Sequence, residues 1–231
     1  MRILAVDTTG AHGSVAVLEN GELTGLVGLK EHSPRHAERL IPTVDDLLRQ
    51  LSLELEQVDG FAAAIGPGSF TGLRIGIAAI EGLAFATGRP AVGVSALEAT
   101  AHRFRYLDDF VVALIEAYRG EIYGAGYQVE KGVLSLVVEP SCSAPEEFLG
   151  SLPRAPALIA GTGTVRHRAE IEARFPSAVV PEPSFFLAEE VGRIGGGKLE
   201  RGEVAPLGSL GALYIRPPEA ERNRALDPRS A

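Results

Sequence analysis

The residues best placed to do chemistry in this 231-residue chain form one glycine-rich run, Ile65-Gly66-Pro67-Gly68-Ser69-Phe70-Thr71-Gly72-Leu73-Arg74-Ile75-Gly76. It follows a short apolar segment, Gly60 to Ile65, and leads into Leu73 to Ala86, an apolar and small-residue stretch of helical length. A strand-to-helix turn of this kind aims backbone N–H groups and a helix N-terminus at an anion. No Gly-Lys-Ser/Thr follows and no lysine is there to reach phosphate, so it is not a Walker A loop. The same glycines serve close helix packing equally well. The loop residues Gly66, Pro67, Gly68, Ser69, Thr71, Gly72 and Arg74 therefore stand open between phosphate contact and a tight structural turn.

Other reactive side chains are sparse. His32 and His36 are four apart, a spacing that lets one helical face bind Zn²⁺. Pro34 lies between them and Ser33 is the better N-cap, so His32 precedes the helix and cannot share its face. No glutamate directly follows His32, and the pair reads as surface histidines. The single cysteine, Cys142, sits in a loop-like stretch and reads as an incidental thiol. One cysteine excludes an internal disulfide and fits a reducing compartment. The net charge is −8, with Arg166-His167-Arg168 and the tail as the main hints of a basic patch. Phosphate neutralisation dominates nucleic-acid affinity, so unaided nucleic-acid binding is not expected.

The elements that must position these residues alternate. No uninterrupted apolar run approaches membrane-spanning length, and Met1 to Asp7 enters a strand without a signal-peptide pattern. A cytoplasmic, non-membrane protein is expected. Ile3 to Asp7 and Ser14 to Glu19 flank a turn containing Thr8, Thr9, Gly10 and His12, and Asn20-Gly21 signals a type I′ hairpin into Glu22 to Leu29. A helix over Arg35 to Leu51 carries Leu40, Ile41, Val44, Leu47, Leu48 and Leu51 at helical spacing, with a kink expected from Pro42. Strand Phe61 to Ile65, helix Leu73 to Ala86 and strand Pro90 to Val94 complete a β-β-β-α-β-α-β order over residues 1–103.

That order begins again over residues 104–215. Phe110 to Glu116 ends in a carboxylate, as Ile3 to Asp7 does, and Lys131-Gly132 repeats the hairpin signal. The second copy reads as degenerate, with strand Ala157 to Ala160, a turn at Gly161-Thr162-Gly163-Thr164 and a helix from Phe186 to about Ile194. Residues 216–231 form a polar, proline-bearing tail expected to fray. Internal duplication is the reading; chance recurrence of common hairpin chemistry is the alternative.

The string GPGSFTGLRIG resembles the TsaB (YeaZ-like) family, a subunit of the bacterial tRNA threonylcarbamoyladenosine machinery, with good motif density to roughly residue 130. The duplicated unit is similar to the two-lobed actin, hexokinase and Hsp70-like fold, so the expected class is α/β, actin-like (ASKHA, a duplicated RNase H-like unit). In such folds the resemblance places Asp7, with Thr8, Thr9 and Gly10, and Glu116 at a nucleotide cleft with Mg²⁺. It lays adenosine near Gly161, Thr162 and Gly163. His12 stands where a small residue would be expected. The alternatives are that Asp7 accepts hydrogen bonds from its own turn amides and that Glu116 pairs with Arg119. The chain alone is expected to require no cofactor, with weak ATP or ADP and Mg²⁺ at a lobe or subunit cleft left open.

The related catalytic subunit carries its metal histidines in a Gly-Val-Asn-His-Leu-Glu-Gly-His pattern. The matching stretch here is Gly93 to Thr100, with Ala96 and Thr100 at the ligand positions. Neither can hold a transition metal, so the resemblance implies no metal and a non-catalytic scaffold. Glycine within a helix costs about 0.8–1 kcal/mol against alanine, so the stripe Gly72, Gly76, Ala78, Gly82, Ala86 implies close packing. The resemblance implies a helical bundle with the TsaD-type catalytic subunit, or with a second copy when that partner is absent. The expected contacts are His36, Arg39, Leu40, Thr43, Leu47, Ile75 and Ala79; internal core or solvated surface is the alternative for each.

The function expected from the resemblance is a non-catalytic subunit for threonylcarbamoyladenosine (t6A) formation at position 37 of ANN-decoding tRNAs. It would bind and activate the TsaD-type subunit together with a TsaE-type ATPase, and meet tRNA only through that complex. The competing readings are an ATP-dependent small-molecule kinase of the same fold and a metallopeptidase.

Overall fold

The computed structural model describes residues 1–30, 36–206 and 208–215, and at Lys30, His36 and Ala37 the backbone alone. His32, the expected cap Ser33-Pro34 and the tail 216–231 lie outside the described residues.

Strand β1 (Arg2–Asp7) pairs antiparallel with β2 (His12–Glu19), which pairs antiparallel with β3 (Glu22–Lys30). Asn20 and Gly21 have φ of 52° and 80°, the doubly positive turn that matches strand twist. Helix α1 (His36–Gln50), β4 (Gly60–Gly66), α2 (Phe70–Thr87) and β5 (Ala91–Ser95) follow, with β4 parallel to both β1 and β5. The sheet order is β3-β2-β1-β4-β5. Period-two alternation sends Leu4, Val6, Phe61 and Ala63 into the core that α1 and α2 cover. Their neighbours Ile3, Ala5, Ala62 and Ala64 belong to the core on the opposite face.

The plan repeats through α3 (Ala96–His102), β6 (Phe110–Glu116), β7 (Ile122–Glu130), β8 (Val133–Ser143), α4 (Pro145–Ser151), β9 (Leu158–Ala160) and α5 (Thr164–Arg174). The second sheet runs β8-β7-β6-β9, so β6 holds the place of β1 and β9 that of β4. Where the first sheet has β5, the second has one parallel bridge, Leu158 to Val179.

Helix α6 (Ala188–Glu200) departs from the expected helix in both extent and place. It packs chiefly on β1, β2, β4 and β5 of the first sheet. Glycine permits the approach: a Cβ on Gly195 would stand 2.5 Å from that of Ala62. A division between residues 103 and 104 would give this helix to the second lobe, but the apolar face of Ile3, Ala5, Ala62 and Ala64 needs its cover. Helix α3 crosses the other way, onto β6. The two helices share one core with both sheets, Ala5 and Val92 on one side and Val111 and Ala113 on the other. After α6 the chain stays with the first lobe: Ala205 bridges Ala91, and the Leu213 N–H donates to the Ile65 carbonyl at 2.7 Å.

Helix α2 is 18 residues long and, by length and composition alone, apolar enough to cross a membrane. Arg74 and Glu81 interrupt it, and Leu73, Ile77, Ile80 and Ala84 are buried. Its place is the helical layer over the first sheet.

Candidate functional site

The glycine-rich loop folds against the first turn. A Cβ on Gly72 would overlap the Thr8 carbonyl oxygen, one on Gly76 the Thr8 hydroxyl, and one on Gly68 the Thr9 carbonyl oxygen. The Thr8 hydroxyl donates to the Gly72 carbonyl at 2.7 Å, and the Ser69 N–H donates to the Thr9 carbonyl at 2.7 Å. Asp7, Thr8 and Thr9 are buried, and the Thr9 N–H and hydroxyl donate to Asp7 Oδ1 at 2.9 and 2.7 Å. Of the two roles open for the loop, the geometry gives Gly68, Gly72 and Gly76 the packing one. Asp7 likewise accepts from its own turn.

The second lobe repeats this device. Gly66 and Gly161 have φ of 116° and 112°, and each opens a Gly-x-Gly turned back on its own lobe. A Cβ on Gly161 would overlap the Leu114 carbonyl oxygen, and one on Gly163 would stand 3.0 Å from Leu114 Cβ. The Gly163 N–H donates to the Leu114 carbonyl at 3.1 Å, and the Glu116 N–H donates to Thr162 Oγ1 at 3.2 Å.

Between these two turns lies a cleft of about 920 Å³. Asp7, Thr9, Gly10, Gly68, Ser69 and Thr71 line it from the first lobe, and Glu116, Gly161 and Thr162 from the second. Thr8, Gly66, Pro67, Gly72, Arg74 and Gly163 are not among its lining residues. Several lining residues were missed from sequence. Phe185 stacks edge-on against His12 at 4.9 Å, Phe70 tilts on Tyr214 at 5.5 Å, and the Arg74 guanidinium sits 3.9 Å over the Phe70 ring. His12–Phe185 and Phe70–Tyr214 join segments more than a hundred residues apart, which no local pattern announces.

A buried ionic cluster fixes the wall behind Phe185. Glu190 of α6 lies 2.5 Å from Nδ1 of His102, the last residue of α3, and 3.3 Å from Nη1 of Arg105 in the turn that follows, while Arg103 donates to the Phe186 carbonyl at 2.7 Å. Burial pushes the Glu190 carboxyl up, but the His102 hydrogen bond and the charges of His102, Arg105 and Arg103 outweigh it and hold it below its ordinary value.

The expected partner face divides. Leu40 and Leu47 are 1% and 3% exposed and belong to the first lobe's own core, because the apolar stripe of α1 faces the sheet. They are not surface contacts. Ile75, Ala79 and Thr43 are half-buried and Arg39 is exposed; of His36 only the backbone is described. The small-residue stripe of α2 is not one face either. Gly72 and Gly76 point inward at Thr8, whereas Ala78, Gly82 and Ala86 are exposed, beside a Phe85 that is 78% exposed.

At the positions where the catalytic relative carries its histidines, Ala96 is buried and the Thr100 hydroxyl donates to the Ala96 carbonyl at 2.8 Å within α3. Among the described residues no three His, Cys, Asp or Glu side chains converge to hold an ion. Arg166-His167-Arg168 forms no open basic patch: His167 is buried, and Arg168 pairs with Glu172 and Glu182.

A family model for TsaD, tRNA N6-adenosine threonylcarbamoyltransferase, matches residues 29–190. The tRNA threonylcarbamoyladenosine biosynthesis protein TsaB of Haemophilus influenzae is 32% identical over 229 residues, covering 94% of this chain and 92% of that protein. Its Escherichia coli counterpart is 40% identical over 131 residues, 55% of each chain. The solved YeaZ from Pseudomonas aeruginosa superposes with a TM-score of 0.78 and 33% identity, covering 92% of this chain and 99% of that one. Component A of Acidaminococcus fermentans (R)-2-hydroxyglutaryl-CoA dehydratase shares the fold alone, with a TM-score of 0.51 and 10% identity over 87% of this chain and 99% of that one.

Proposed function

The chain belongs to the TsaB (YeaZ) family of tRNA threonylcarbamoyladenosine biosynthesis, with that family's two-lobed actin-like fold, and from this premise we propose that it is a non-catalytic, cytoplasmic subunit. Its role is to bind a TsaD-type threonylcarbamoyltransferase and hold it active, with a TsaE-type ATPase docking on the pair. Alone it pairs with a second copy, and tRNA reaches it through the complex. The observation that carries this reading is the outward face of α2, where Phe85 stands 78% exposed beside Ala78, Gly82 and Ala86. A large exposed aromatic on a ridge of small residues is a surface for another helix. The hydrogen bond of Thr100 to Ala96, at the places where the catalytic relative carries histidines, supports the non-catalytic half of the proposal.

Co-elution of the purified chain with a TsaD-type subunit on size exclusion tests it. Ala78→Glu and Phe85→Glu should each abolish co-elution while leaving the melting temperature unchanged. Retained complexes with both variants would refute the α2 face as the contact.

A further inference from the structure

Arg74 belongs to the glycine-rich run, yet it neither lines the cleft nor enters the core. It is exposed, with its guanidinium 3.9 Å over the Phe70 ring and its Nε 3.5 Å from the Tyr214 hydroxyl. Among the described residues no carboxylate pairs with it. A long cation laid against two rings has already lost much of the rotamer freedom that a contact would otherwise cost. Tyr214 is brought there by the segment that follows α6. The Leu210 N–H donates to Glu81 Oε1 at 2.8 Å, and the Leu213 N–H donates to the Ile65 carbonyl at 2.7 Å. Leu210 and Ala212 pack against the core that α1 and α2 cover. Residues 210–214 thus run along one flank of α2 and set a ring beside Arg74.

Arg74 also heads the outward stripe of that helix. Arg74, Ala78 and Gly82 stand at i, i+4 and i+8, Phe85 follows, and all four are exposed. The helix rise separates Arg74 from Phe85 by about 16 Å along the axis. The stripe therefore has a cation at one end, an aromatic ring at the other and small residues between. No acidic residue stands in the first turn of α2, and Glu81, its one carboxylate, accepts from the Leu210 N–H. Arg74 adds its charge to the positive end of the helix dipole, and an anion is what that end lacks. The same stripe on a second copy carries no carboxylate and cannot supply one.

We propose that Arg74 is the specificity-determining residue of the α2 face, its guanidinium fork donating to a carboxylate on a helix of the TsaD-type partner, with Tyr214 as its positioning residue. The contact selects that partner over a second copy, whose stripe meets Arg74 with no acid. It presupposes that the α2 face is the partner surface. To that it adds what the partner must bring: a carboxylate about three helical turns from the groove that takes Phe85.

Isothermal titration of the full chain against a TsaD-type subunit, at low and high salt, tests it. Arg74→Gln should weaken the complex about tenfold at low salt, the worth of one hydrogen-bonded charge pair, and flatten its salt dependence. Arg74→Lys should stay weakened, since an ammonium neither stacks flat nor forks. Tyr214→Leu should weaken the complex, and Tyr214→Phe, which keeps the ring, should restore most of the affinity. Self-association of the chain alone, read by sedimentation equilibrium, should be the same for Arg74→Gln as for the parent. Parental affinity in Arg74→Gln, or equal weakening of the complex and of self-association, would overturn the proposal. Phe85→Glu in the same titration keeps the two readings apart. If it abolishes the complex while Arg74→Gln leaves it intact, the face stands and the carboxylate contact falls. If neither variant has an effect, both fall.

Discussion

Gly72 and Thr8 are in direct contact: the Thr8 hydroxyl donates to the Gly72 carbonyl at 2.7 Å, and a Cβ on Gly72 would fall on the Thr8 carbonyl oxygen. The glycine that looks like part of a phosphate loop is thus the point where α2 rests on the first turn. Gly72→Ala should cost about 1–3 kcal/mol or more, the price of overpacking against rigid backbone. Gly82 has nothing within 4 Å of a built Cβ, so Gly82→Ala should stabilise by about 0.8–1 kcal/mol through helix propensity. Urea unfolding of the two variants reads both signs.

The Glu190 cluster should make stability fall in acid. Its folded pKa lies below its unfolded one, so its contribution is complete above the ordinary value of 4.5 and drains as pH falls through the lowered one. Glu190→Gln should lower stability by about 3–5 kcal/mol at pH 7, as expected for breaking a buried ion pair. The melting-temperature gap to the parent should close as the pH drops below about 4. A gap that is constant with pH would show that the pair is not what Glu190 contributes.

Helix α1 and helix α2 should respond oppositely to a new charge. Leu47 lies in the core, and even Leu47→Ala should cost about 2–5 kcal/mol. Leu47→Glu should therefore unfold the first lobe. Phe85→Glu changes an exposed side chain and should leave circular dichroism and melting unchanged. Equal destabilisation by the two would place Phe85 in a packed environment.

The local half of this architecture is legible in the chain. Asn20-Gly21 and Lys131-Gly132 read as hairpins and carry the positive φ that such turns need. Period-two runs read as strands, and the recurrence of a strand ending in a carboxylate reads as a repeated unit. What the chain conceals is direction across long separations. Nothing near residues 188–200 says that α6 returns to a sheet formed by the first hundred residues, because its glycines signal closeness without naming the neighbour. Gly72 and Gly82 look alike in a stripe, and only the packing separates the one that rests on Thr8 from the one that faces solvent. The cleft was half visible: its carboxylates and glycines end strands and so punctuate the sequence, whereas Phe185 and Tyr214 sit in irregular segments without a period. Leu40 and Leu47 were misplaced at a partner contact although their helical spacing with Val44 and Leu48 is that of a core stripe.

The most direct test of the central claim is reconstituted tRNA modification, followed as t6A in a substrate tRNA, with each component omitted in turn. The chain alone should form none. The TsaD-type subunit with its ATPase should need the chain for turnover, and the Phe85→Glu variant should fail to replace it. Modification by the isolated chain, or full activity of the transferase in its absence, would contradict the account.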